Sequence, residues 1–185
     1  YLLAYAKVPT KIGLEKPNKK LYSHVVNKLD PSKNHVIDRL MNISSVFNIK
    51  VDTKDINIKF FPNADSEVKA KNFVKLHYPN KRFLLGINIS AGSDARFWGI
   101  ENFRMLCDAC KKYPIDLMIL SSTKDLRSAF QIIHDKSKVF YSPSFDEFCS
   151  IISQIDMLFS PDTATIHLAS MYQKPVFGLY VQFET

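Results

Sequence analysis

From about residue 61 onward the chain alternates short apolar runs with segments of helical periodicity, and this alternation most constrains what it can fold into. Ser66 to Tyr78 carries Val68, Phe73, Leu76 and His77 at helical spacing, with Asp65 or Ser66 available as its cap. Arg82 to Ser90 is too short for a globular helix, is bounded by Pro79-Asn80 and Gly92, and reads as a buried strand. The pattern then repeats. Helices are expected over Ile100–Tyr113, Lys124–Lys136, Phe145–Ile155 and Thr163–Gln173, and strands over Ile115–Ser121, Val139–Tyr141, Asp156–Ser160 and Pro175–Val181. Strands separated by helical connections make a parallel sheet with helices on its faces, because parallel neighbours need a long crossover. The expectation is α/β, doubly wound.

Residues 1–60 break the pattern. Thr10–Leu14 reads as a strand, His35–Phe47 as a helix with Val36, Leu40, Ile43 and Phe47 on one face, and Ile56–Phe60 as a strand candidate. They read as the end of a preceding domain plus a linker, leaving residues 61–185 as the second domain. The chain opens at Tyr1 without an initiator methionine or a signal-peptide pattern, so it is expected to be a piece of a longer protein. No apolar stretch approaches the roughly 20 residues of a membrane-crossing helix. Three cysteines cannot form a disulfide framework, which points to a reducing, cytoplasmic setting.

The net charge of +7 is uneven: residues 1–60 hold 11 basic and 5 acidic side chains, residues 121–185 hold 5 and 7. The excess sits in pieces such as Lys16-Pro17-Asn18-Lys19-Lys20. Such a segment suits phosphates, anionic headgroups or nucleic acid, and equally a solvated loop. It lacks the interleaved aromatics that stack single-stranded bases. Cys107-Asp108-Ala109-Cys110 falls inside a helix with no second pair, so it reads as core packing rather than a zinc or redox site.

In an open parallel sheet, ligands bind beyond the carboxyl ends of the strands, where helix N-termini favour anions. Two loops stand out there. Ser90-Ala91-Gly92-Ser93-Asp94-Ala95-Arg96-Phe97-Trp98 offers hydroxyls, a permissive glycine and one arginine able to grip a phosphate bidentately. It also fits a surface loop with Trp98 wedged into the core. Ser160-Pro161-Asp162-Thr163-Ala164-Thr165-Ile166-His167-Leu168-Ala169-Ser170 turns from a strand into a helix capped by Asp162 or Thr163, its first amides and hydroxyls facing the mouth of the sheet. His167 either touches a ligand or is a satisfied core histidine.

This second segment, followed by Lys174-Pro175-Val176, resembles the signature of family 9 glycosyltransferases, the ADP-heptose:lipopolysaccharide heptosyltransferases. The Ser90–Trp98 loop is similar to the family's other nucleotide-sugar loop, where a basic residue stands two before a tryptophan. From about Lys11 on, the first segment is similar to the part that closes the family's N-terminal domain. The resemblance implies a GT-B fold, this chain holding the Rossmann-like C-terminal domain and a remnant of the N-terminal one. It implies that Arg96, Ser90 and Ser93 meet the diphosphate, that Asp162, Thr163, Ala164, Thr165 and His167 receive phosphates and sugar, and that the Ser122–Asp125 and Ser142–Phe145 loops, with Ser122, Asp125 and Ser144, hold ribose and adenine.

The implied reaction moves heptose from ADP-heptose to the lipopolysaccharide inner core, Arg96 stabilising the leaving diphosphate, with no metal and no cofactor. The implied partners are the nucleotide-sugar donor, the acceptor and, peripherally, the inner membrane, with no nucleic acid. The sequence departs from the family where Ala164 replaces a usual glycine and where Val181-Gln182-Phe183 follows the last strand. The family's general base, an aspartate early in the N-terminal domain, has no counterpart here, so residues 1–185 alone are expected to bind donor without turning it over. A transferase using a UDP- or GDP-sugar, or a non-catalytic nucleotide- or nucleic-acid-binding module, remains the alternative.

Overall fold

The computed structural model describes residue 5 and residues 7–52 and 58–181. The chain divides into two units, residues 1–57 and 58–185.

In the first unit, β1 (Ile12–Leu14) pairs in parallel with β2 (His24–Val26), Ile12 opposite His24. A helix is expected over His35–Phe47, but it forms in two pieces: α1 (Val36–Met41), then a 3-10 stretch over Asn42–Phe47. The switch to a tighter helix rotates the later side chains off a common stripe. Val36, Leu40 and Phe47 are all more than half exposed. β2 was not expected from the sequence: three residues around His24 carry no apolar run, and only the pairing with β1 makes them a strand. The Lys16–Lys20 segment is exposed, and Lys19 pairs with Glu15 at 2.8 Å, as a solvated loop would. Of the strand candidate Ile56–Phe60, residues 56 and 57 lie outside the described residues, and 58–60 are irregular.

The second unit is a five-stranded, all-parallel sheet in the order β5-β4-β3-β6-β7. Its strands are β3 (Phe83–Asn88), β4 (Ile115–Ser121), β5 (Val139–Tyr141), β6 (Met157–Pro161) and β7 (Val176–Leu179). Five helices accompany them: α2 (Ala64–His77), α3 (Ile100–Cys110), α4 (Leu126–Ile132), α5 (Phe145–Gln154) and α6 (Ala164–Met171). The expected elements are all present, with displaced ends. The helix expected over Lys124–Lys136 begins as a 3-10 turn (Thr123–Asp125) and stops at Ile132. Neither Asp65 nor Ser66 caps α2; Asn63 does, its side chain accepting from the Ser66 amide at 2.9 Å.

Period-two alternation decides which residues meet which helices. Leu85, Ile87 and Ile89 face α3 and α4, packing with Phe103, Cys107, Cys110 and Ile132. Leu84 faces α2 and α5 with Val74, Ile151, Ile152 and Ile155. At Gly86 the Ile155 side chain lies close against the strand: a Cβ there would come within 2.7 Å of Ile155 Cδ1. The Cys-x-x-Cys pair is buried on the sheet-facing side of the last turns of α3, and burial pushes the Cys107 thiol up to about 11. That is the inert, packed cysteine expected from the sequence. No described helix is long and apolar enough to cross a membrane.

Candidate functional site

Strand order determines where a cleft can open. The chain winds from β3 through β4 to β5, then returns to lay β6 on the other side of β3, so the crossovers diverge between β3 and β6. Beyond the carboxyl ends of these strands lies a cleft of about 400 Å³, where an open α/β sheet binds its ligands. One wall is the loop after β3, with Ser90, Ala91 and Gly92; the next is the loop after β4, with Ser122 and Lys124. Ser142 to Phe145, after β5, form the third, and Thr163, Ala164 and Thr165 at the start of α6 form the fourth.

Each wall has a local cause. Thr163 caps α6 with its hydroxyl toward the Thr165 amide, leaving the helix's positive end toward the cleft. Ser144 caps α5 in the same way, accepting from the Glu147 amide. Ser142 Oγ donates to Glu147 Oε2 at 2.6 Å, and Lys69 Nζ holds the same carboxylate from α2. Hydrogen bonds first from Lys69 and then from Ser142 hold the Glu147 carboxyl below its ordinary value. The Asp125 carboxylate accepts from Ser90 Oγ at 2.7 Å and Ser122 Oγ at 2.6 Å, while the Ser122 amide donates to Ser90 Oγ. Asp125, outside the lining, thus ties together Ser90 and Ser122 from two of its walls.

Of the residues singled out in the sequence, Ser90, Ser122, Ser144, Thr163, Ala164 and Thr165 line this one cleft, and Asp125 supports it. Arg96, Asp162, Ser93 and His167 stand outside the lining. Arg96 sits on a 3-10 turn (Asp94–Arg96), where Nη1 donates to the Asp162 carbonyl at 3.3 Å and lies 3.8 Å from its carboxylate. Its Nε is buried without a partner among the described residues. Ser93 is exposed, its carbonyl accepting from the Arg96 amide. His167 is exposed on α6, which excludes its reading as a core histidine. Trp98 is partly buried and packs against the core, edge-on to Phe103 with ring centres 5.2 Å apart. Gly99 then turns into α3 at φ +96°, a conformation that favours glycine.

Lys124 and Phe145, within the two loops expected to hold ribose and adenine, line the cleft, as do Asn88, Ser121 and Phe148, which sequence reasoning passed over. Asn88 carried a signal, a polar residue closing an otherwise apolar strand. Seven of the fifteen lining residues bear hydroxyls, Lys124 is the only charged one, and Phe145 presents a half-exposed ring. This set can receive an anion at the helix end and the lysine, a polyhydroxyl group along the serines, and a flat apolar ring against phenylalanine. A second cavity of about 370 Å³ lies at the opposite end of the sheet, but there Asp116 and Asp108 already pair with Arg82 and Lys111. Among the described residues, no cluster of metal-ligating side chains occurs.

The profile of glycosyltransferase family 9 (heptosyltransferase) matches residues 1–184. No curated protein sequence matches the chain. Among solved structures, a glycosyl transferase family 9 protein from Veillonella parvula DSM 2008 superposes with a TM-score of 0.78 at 16% identity, over 96% of this chain and 53% of that one. The E. coli ADP-heptose lps heptosyltransferase II gives 0.71 at 15% identity, over 95% and 57%. The E. coli heptosyltransferase WaaC with ADP gives 0.66 at 15% identity, over 95% and 56%. The chain therefore shares their α/β fold and spans a little over half their length.

Proposed function

This chain belongs to glycosyltransferase family 9, and from that premise we propose that residues 58–181 hold the nucleotide-sugar donor of a heptosyl transfer, with ADP-heptose as donor and the lipopolysaccharide inner core as acceptor. The observation that carries the reading is the cleft itself: a helix N-terminus and one lysine, walled by hydroxyls, with no carboxylate in its lining. WaaC has been solved with ADP and with ADP-2-deoxy-2-fluoro heptose, which supports an ADP-sugar here.

In the transfer, the acceptor hydroxyl oxygen bonds to C1 of the heptose as the bond from C1 to the diphosphate oxygen breaks. The hydroxyl proton passes to a base, which the family resemblance puts on the N-terminal domain, and the diphosphate leaves with the electron pair. This chain's contribution is to the leaving group. The positive end of α6, Lys124 and Arg96 stabilise the charge that grows on it. The unpartnered Nε and the long contact to the Asp162 carbonyl leave the Arg96 guanidinium free to exchange that carbonyl for a phosphate oxygen. No metal or cofactor is called for. The setting in this reading is the cytoplasm, peripheral to the inner membrane where the acceptor is built.

Calorimetric titration of residues 1–185 with ADP, UDP and GDP, beside Arg96→Ala, tests the reading. The expected result is saturable binding of ADP in preference to the other two, weakened about tenfold or more by the substitution. Preference for UDP or GDP would overturn the donor, and binding of none of the three would overturn the site.

A further inference from the structure

We infer that Asn88 is a positioning residue of this cleft, its buried carboxamide locking the loop after β3 to the first turn of α6 so that the walls meeting the diphosphate keep one spacing. The inference rests on the donor-site reading above. Asn88 is 1% exposed at the end of β3, after a run whose other members are apolar. A buried amide there is costly unless every polar atom is engaged.

Its partners account for it. Nδ2 lies 2.9 Å from Ser160 Oγ, 3.1 Å from Thr163 Oγ1, 3.2 Å from the Ser90 carbonyl and 3.3 Å from Thr165 Oγ1. On the other side, Oδ1 accepts from the Ser90 amide at 3.2 Å. The carbonyl of Ser90 can only accept and its amide can only donate, so the two ends of the carboxamide cannot be exchanged. Ser160 Oγ spends its own proton on the Pro161 carbonyl at 2.7 Å and is left to accept from Asn88. One side chain therefore joins the end of β3, the end of β6 and the cap of α6 across the divide where the crossovers diverge. Ser90 and Thr163, both held by it, are also the residues that line the cleft from opposite walls.

Two substitutions separate this role from simple core filling. Asn88→Ala removes the link. Asn88→Asp keeps the shape, replaces the donor facing the Ser90 carbonyl with an oxygen, and sets a negative charge under an anion site. A protonated aspartic acid would again carry one donor. The charged groups around the cleft are Asp125, bonded to Ser90, Lys124 in the lining, and Asp162 before α6, which lies beside Arg96 of the loop after β3.

The test is ADP titration of residues 1–185 in wild type and both variants between pH 8 and pH 5, with Trp98 fluorescence reporting the fold. The expected result is a loss of about tenfold or more in ADP affinity for both variants at pH 8. Relative to wild type at each pH, Asn88→Asp recovers toward pH 5 and Asn88→Ala does not. If the alanine variant fails to fold, the isosteric aspartate variant and its pH profile carry the test. Wild-type binding with both variants within twofold of it, or an aspartate loss that does not change with pH, overturns the positioning role. Absence of ADP binding by wild type overturns the donor reading, and this inference with it.

Discussion

Removing the Phe103 ring tests how the Ser90–Trp98 loop is anchored. Phe103 is fully buried, with three other rings around it: Trp98 edge-on at 5.2 Å, Phe159 edge-on at 6.4 Å and Phe97 tilted at 6.0 Å. Phe103→Ala loses the transfer energy of the ring and leaves a cavity, together about 3–5 kcal/mol, the aromatic pairs placing it toward the upper end. Against a domain stability of about 5–15 kcal/mol this is a large share. With a urea slope of about 2 kcal/mol/M, the unfolding midpoint falls by about 1.5–2.5 M. Trp98 is the only tryptophan, so its fluorescence during urea titration follows this cluster alone. Because Arg96 lies two residues before Trp98, the same variant also weakens ADP binding in the folded range. A midpoint shift under about 0.5 M with an unchanged slope would refute the packing argument, and an unchanged ADP affinity would refute the link to Arg96.

Two other outcomes follow from the titrating groups. Burial pushes the thiols of Cys107 and Cys149 up to about 11 and raises that of Cys110, so the native protein at pH 8 should resist alkylation while all three react in urea; stoichiometric labelling of folded protein would contradict this. Glu147 has its folded value lowered from the ordinary 4.5, so its contribution is full above that value and is lost as pH falls through the folded value. The stability gap between wild type and Glu147→Gln should therefore close on acidification from pH 6 to pH 3, read as urea midpoints. A gap that stays constant over that range would show the Lys69–Glu147–Ser142 link to be idle.

How much was legible beforehand differs from element to element. β3, β4 and β6 announce themselves because a strand buried on both faces is a continuous apolar run, whatever its neighbours are. β2 does not, since His24–Val26 becomes a strand only when β1 lies beside it. Helix ends slipped where a cap came from outside the periodic segment, as with Asn63 before α2. Within the cleft, the Ser160–Thr165 wall could be read because strand, turn and cap are contiguous. Asn88 shows in the sequence only as a polar residue closing an apolar strand; its role does not, because its hydroxyl partners on β6 and α6 lie 72 to 77 residues away.

The sequence by itself determined the class of fold, which apolar runs become buried strands, and the capped helix start after β6, because these depend on periodicity and on neighbours a few residues apart. The tertiary structure alone decided that Asn88, Ser90 and Thr163 meet, that Asp125 ties Ser90 to Ser122, and that Arg96 rests on the Asp162 carbonyl rather than in the cleft lining. Those contacts exist only because the order β5-β4-β3-β6-β7 brings the end of β3 against the end of β6. Strand order is a balance of packing over the whole sheet, and no local pattern of residues records it.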